Sequence, residues 1–124
     1  MMSADLEQLA NELDVIPDDQ FVVWDKTGTG FTYAKYAPVF HAWERALGAI
    51  GLGGPSDVYD RMLKGEPVPN PSLETIATAD QATLLGYATY IVRSERFSEG
   101  HIASCHRKGY LAAIVRRLAQ LDNA

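Results

Sequence analysis

One cysteine in 124 residues means that no disulfide can close within the chain. A secreted domain of this size more often carries paired cysteines. The opening stretch MMSADLEQLANELD is acidic and lacks the basic-then-apolar layout of a signal peptide. No apolar run approaches the roughly 20 residues needed to cross a bilayer. The longest, residues 84–92, is broken by Gly86 and Thr89 and runs into Arg93. A cytoplasmic protein with no membrane partner is therefore expected. Also missing are Cys-x-x-Cys, His-x-x-x-His and His-Glu-x-x-His spacings, so neither a metal nor another cofactor is expected.

Positive charge is scarce over most of the chain. Residues 1–92 carry 5 basic and 13 acidic side chains, and no basic residue precedes Lys26; residues 93–124 carry 6 basic and 3 acidic ones. Such asymmetry arises when an acidic face holds a basic one inside the fold, or when one face meets a charged partner. Hydrophobic residues make up 47% of the chain, enough for one core in a single domain spanning residues 1–124.

The periodicity predicts a mainly α fold, a compact bundle of five or six helices with a small β-hairpin near the N-terminus. Ser3 caps a first helix burying Leu6, Ala10 and Leu13. Phe21, Val22, Val23 and Trp24 favour a strand, residues 25–30 a turn, and residues 31–33 its return. Thr-Gly-Thr-Gly within that turn does not match a phosphate-binding loop, because Lys26 precedes the glycines. Pro38 opens a helix with Phe40, Trp43 and Leu47 on one face, and Ser56 or Asp57 caps a short one. Three prolines between Glu66 and Pro71 mark an extended loop. Thr78 with Gln81 reads as a capping box for the central, longest helix, running to about Phe97. A short helix ending before Gly109 and a last one burying Leu111, Ile114, Val115 and Leu118 complete the bundle. Trp24, Trp43 and Tyr87 fall on apolar stripes and are expected in the core.

Residues 90–118, YIVRSERFSEGHIASCHRKGYLAAIVRRL, resemble the C-terminal signature of an uncharacterised bacterial family. In that family a long apolar helix ends in Arg-x-Glu-Arg-Phe. An acidic residue and a glycine follow, then a short helix closed by glycine, then a helix ending in Arg-Arg-Leu. The matching positions are Arg93, Glu95, Arg96, Phe97, Glu99, Gly100, Gly109, Arg117 and Leu118, with Tyr36, Phe40 and Val58-Tyr59-Asp60 upstream. The resemblance implies a helical fold and a prokaryotic or phage-like origin, and it transfers no activity.

Chemically, two arginines and two glutamates at a helix end can form a network of bidentate pairs, with the Phe97 ring buried beside them. That network would be a clamp between the long helix and the last one. Alternatively Arg93, Arg96 and Arg117 converge on an anion. Cys105 lies one helical turn after His101 and beside His106, so a thiol–imidazole pair is geometrically possible. Carboxylate pairs such as Asp57 with Asp60 carry no distinguishing spacing.

No constellation stands out as catalytic, so a non-catalytic domain that binds another protein, or a second copy of itself, is the leading expectation. A sharper form is an inhibitor of a nucleic-acid machine, a phage-type anti-defence protein in which Asp14, Asp18 and Asp19 imitate phosphate charge. The expected binding residues are Arg93, Glu95, Arg96, Glu99, Arg117, Asp14, Asp18 and Asp19. One alternative is a nucleic-acid or phosphorylated-ligand binder using Arg93, Arg96, Arg107, Lys108, Arg116 and Arg117. The other is a small enzyme using Cys105 and His101.

Overall fold

A computed structural model describes residues 2–25, 33–66 and 70–122. Helix α1 (Met2–Val15) lies along α8 (Tyr110–Asp122), and this pairing is the most extensive in the molecule. Between them in the chain come the one-turn helix α2 (Asp18–Phe21), strands β1 (Val22–Asp25) and β2 (Tyr33–Tyr36), and helices α3 (Pro38–Gly48), α4 (Asp57–Leu63), α5 (Leu73–Thr78), α6 (Gln81–Ser94) and α7 (His101–Arg107). The mainly α fold and the N-terminal hairpin agree with the sequence reading, although among the described residues eight helices replace five or six. The two additions, α2 and α5, are short. Neither is long enough to carry an apolar stripe that would announce it.

Each predicted stripe becomes a buried face: Leu6, Ala10 and Leu13 on α1, Phe40, Trp43 and Leu47 on α3, Leu111, Ile114, Val115 and Leu118 on α8. The centre is shared, because α8 packs on α1, α5, α6 and α7 while α6 packs on α4, α7 and α8. Gly86 brings α4 close to α6; a Cβ there would fall 2.7 Å from the Val58 Cβ. The strands pair antiparallel, with Val22 opposite Tyr36 and Asp25 opposite Tyr33. A lone two-stranded hairpin is marginal in water. This one is held on the helices by the ring contacts of Tyr36 with Phe21 and with Phe40, at 5.6 and 5.1 Å between centroids. Of the predicted turn, residues 26–30 lie outside the described residues, as do residues 31 and 32 of the predicted return.

Three local expectations change. α1 starts at Met2, one residue before its predicted cap. Thr78 ends α5 rather than opening α6, whose cap is Asp80, accepting the Thr83 N–H at 2.8 Å. Aspartate directly before the helix is a stronger cap than a threonine two residues further back. The capping box lies upstream instead, where Ser72 and Thr75 open α5. Trp24 is 45% exposed on β1, whereas Trp43 and Tyr87 are core residues as expected. No helix among the described residues is long and apolar enough to cross a membrane.

Candidate functional site

The Glu-Arg-Phe-Ser-Glu-Gly run is a turn between two helices, because α6 stops at Ser94 and α7 starts at His101. The new helix needs partners for its first N–H groups, and its N-cap residue, Gly100, has no side chain to supply one. Glu95 supplies it from outside. Its Oε2 accepts from the Gly100 N–H at 3.0 Å and from the Tyr36 hydroxyl at 2.7 Å, and its Oε1 accepts from the Ile102 N–H at 2.9 Å. Glu99 fastens the other side, accepting the Ala34 N–H of β2 at 2.8 Å. Gly100 has a φ of +91°, and a Cβ there would sit 3.2 Å from the Trp24 ring, so both conformation and space call for glycine. The two glutamates hold the turn.

The arginines follow a different plan from the one expected. Arg93 donates to the Gly53 carbonyl at 2.9 Å and lies over the Tyr59 ring at 4.9 Å. Arg117 donates to the Ala79 carbonyl at 2.9 Å, tying α8 to the junction of α5 and α6. Arg96 is exposed. Arg93, Arg96 and Arg117 therefore do not converge, and no ion pair among the described residues joins an arginine to Glu95 or Glu99. Asp14 and Asp18 meet the C-terminal basic residues instead: Asp14 pairs with Arg116 at 2.7 Å and Asp18 with Arg107 at 3.3 Å. Asp19 is exposed. Two of the six C-terminal basic residues thus meet acids of the N-terminal region in half-exposed pairs.

Phe97 reverses its expectation most sharply. It is 91% exposed, because α6 ends before reaching it and the turn carries its ring off the buried stripe. Beside it lies a cavity of about 340 Å³ walled by Tyr59, Leu63, Tyr90, Arg93 and His101. A second cavity, of about 210 Å³, shares Tyr90 and His101 and continues to Cys105, Lys108 and Tyr110. The two cavities adjoin at Tyr90 and His101 and make a groove bordered by α4, α6, α7 and the start of α8, with several aromatic rings, two cationic side chains and no carboxylate among the described lining residues. Sequence reasoning missed it, since nothing in the pattern of the short helix α4 marks Leu63 as 62% exposed.

His101 and Cys105 do meet on the groove floor, with Nε2 and Sγ 3.6 Å apart. The thiol is buried, and burial pushes it up to about 11, with the Glu95 charge adding and the Lys108 charge opposing. Such a group is almost entirely protonated at neutral pH and is a poor nucleophile. Iodoacetamide should label Cys105 in the folded protein at least tenfold more slowly at pH 7.5 than in denaturant, and faster as the pH approaches 11. Rapid labelling at pH 7.5 would restore the thiol as a nucleophile. His106 points to the other side of α7, its ring stacked 3.8 Å from that of Phe21, and burial lowers its proton affinity. His41 lies apart, against Glu44. Among the described residues no three His, Cys, Asp or Glu side chains are grouped to hold a metal.

The model of a family described as a family of unknown function, DUF6508, matches residues 1–124, the whole chain. The chain belongs to DUF6508. No curated protein and no solved structure matches it. In this DUF6508 chain another cavity, of about 640 Å³, lies between the N-termini of α4 and α6. Asp57 and Asp80 are among its lining residues, and Asp60 is not.

Proposed function

We propose that this DUF6508 chain is a non-catalytic interaction module that docks a protein partner on the groove bordered by α4, α6, α7 and the start of α8. The observation that carries this reading is Phe97, a large apolar side chain left 91% exposed on a turn that Glu95 and Glu99 fix from both sides. Exposed aromatic side chains on rigid supports are the usual anchors of protein interfaces, since little conformational freedom is lost on docking. Leu63 and the Arg93–Tyr59 stack extend the same face. Burial holds the Cys105 thiol well above the ordinary thiol range, which counts against thiolate chemistry at this groove.

A phosphate-imitating acidic face draws less support, because Asp14 and Asp18 already hold Arg116 and Arg107. A nucleic-acid face is weakened by the same two pairs, which leave Arg93, Arg96 and Lys108 as the basic residues near the groove.

Capture from nuclease-treated lysate, with tagged wild type compared with Phe97→Asp, tests the reading. Val15→Asp, at an exposed apolar position on α1, is the matched surface control. Phe97→Asp should change stability by less than about 0.5 kcal/mol, as expected for an exposed side chain. It should lower recovery of at least one protein tenfold or more, while Val15→Asp retains it. An unchanged capture profile, or loss of every partner on nuclease treatment, would sink the proposal.

A further inference from the structure

We infer that the inner end of the groove is a carboxylate subsite: the partner segment is acidic, and one of its aspartate or glutamate side chains enters between His101 and Lys108. A neighbouring apolar side chain of the same segment covers Phe97. This inference rests on the docking face proposed above and adds its charge selectivity.

Charge complementarity carries it. The chain has 16 acidic against 11 basic residues, yet Arg93, His101 and Lys108 line the groove with no carboxylate among the described lining. Lys108 is exposed and takes part in no ion pair among the described residues; its Nζ lies 5.8 Å from the Tyr110 ring centroid. Lys108 lines the same cavity as the buried Cys105 thiol. Ile91, Pro71 and Tyr110 contribute to the remaining wall. Apolar walls strengthen an ion pair by lowering the local dielectric.

Size and donor set narrow the occupant. At about 210 Å³ the inner cavity is smaller than the roughly 300 Å³ at which small-molecule sites begin, and it suits one side chain of a larger ligand. Phosphate groups favour forked arginines or free helix N-termini. Here the Arg93 guanidinium is engaged with Gly53, and the Gly100 and Ile102 N–H groups at the start of α7 are bonded to Glu95. The Lys108 ammonium remains, beside a His101 ring whose Nε2 faces Cys105, and one ammonium matches a single carboxylate.

Selection of random heptapeptides displayed on phage, against immobilised wild type, Lys108→Glu and Phe97→Asp, tests the inference without a known partner. Wild type should enrich peptides with Asp or Glu near a large apolar residue. Lys108→Glu should bind those peptides at least tenfold more weakly and enrich Lys or Arg at the same position. Phe97→Asp should enrich neither. A wild-type pool without acidic enrichment would overturn the subsite, as would acidic enrichment that survives Lys108→Glu. Loss of binding in Phe97→Asp with no effect of Lys108→Glu leaves the docking face standing and removes the subsite. A pool indifferent to both variants removes the docking face itself. A synthetic peptide binding tenfold tighter with phosphoserine in place of the selected acid would assign the pocket to phosphate and overturn the carboxylate reading.

Discussion

Glu95→Ala will cost about 3 kcal/mol of folding stability and lower the melting temperature by roughly 10 °C. Three donors depend on its carboxylate: the Tyr36 hydroxyl and the N–H groups of Gly100 and Ile102. A hydrogen bond to a charged acceptor contributes about 1.5–3 kcal/mol, and a donor left without a partner costs about 1–3 kcal/mol when water cannot replace it. Water can reach part of this turn, which keeps the total near the lower end. Glu95→Gln should lose about half as much, because one amide oxygen cannot serve donors on both sides and the amide nitrogen faces an N–H. Urea unfolding measures the difference, and a loss below about 1 kcal/mol would mean that α7 is capped by something else. Tyr36 adds a pH signature. Burial first, and then the Glu95 bond and charge, hold its phenol above the usual tyrosine value. The unfolded chain therefore releases that proton first as the pH passes about 10, so stability falls with further rise in pH. Tyr36→Phe should remove that part of the fall.

The same residue marks the boundary of what the sequence discloses. Glu95 and Glu99 stand four apart, and on a continuing helix they would share a face. The helix ends at Ser94, so one carboxylate reaches α7 and the other the hairpin. Phe97 follows the same logic: its burial depended on helical phase, and the phase is lost three residues before it. Where a helix runs on, the stripe is reliable, as Leu111, Ile114, Val115 and Leu118 illustrate. The His101–Cys105 contact was legible because it needs only one uninterrupted turn of α7. The pairing of Asp14 with Arg116 and of Asp18 with Arg107 was foreshadowed by net charge, although charge balance alone names no partners. The groove was illegible for a different reason. Its walls come from four helices, α4, α6, α7 and the start of α8, and α4 can lie close to α6 only because Gly86 has no side chain.

Trp43→Ala will be the most damaging single change away from the groove, at about 4–5 kcal/mol. The indole is fully buried on α3, its ring stacked 5.7 Å from Phe40, and its Nε1–H donates to the Leu111 carbonyl of α8 at 3.1 Å. Truncation removes the apolar burial, opens a cavity and breaks that link between α3 and α8. Against a total stability of about 5–15 kcal/mol for an ordinary domain, the variant should be substantially unfolded at 37 °C. Trp43→Phe keeps one aromatic ring against Phe40 but loses the N–H and some buried volume, so it should cost about 2 kcal/mol. The chain contains two tryptophans, and the other, Trp24, is 45% exposed against Gly100. Emission in the folded Trp43→Phe protein therefore comes from Trp24 alone and reports on the hairpin and the turn that carries Phe97. A red-shifted spectrum with a wild-type denaturant slope would place the lost energy in the core contact of α3. A changed slope would mean that the hairpin and turn had loosened with it. A loss below about 2 kcal/mol in Trp43→Ala would show that α3 is anchored by its other buried residues, Phe40 and Leu47, without the indole.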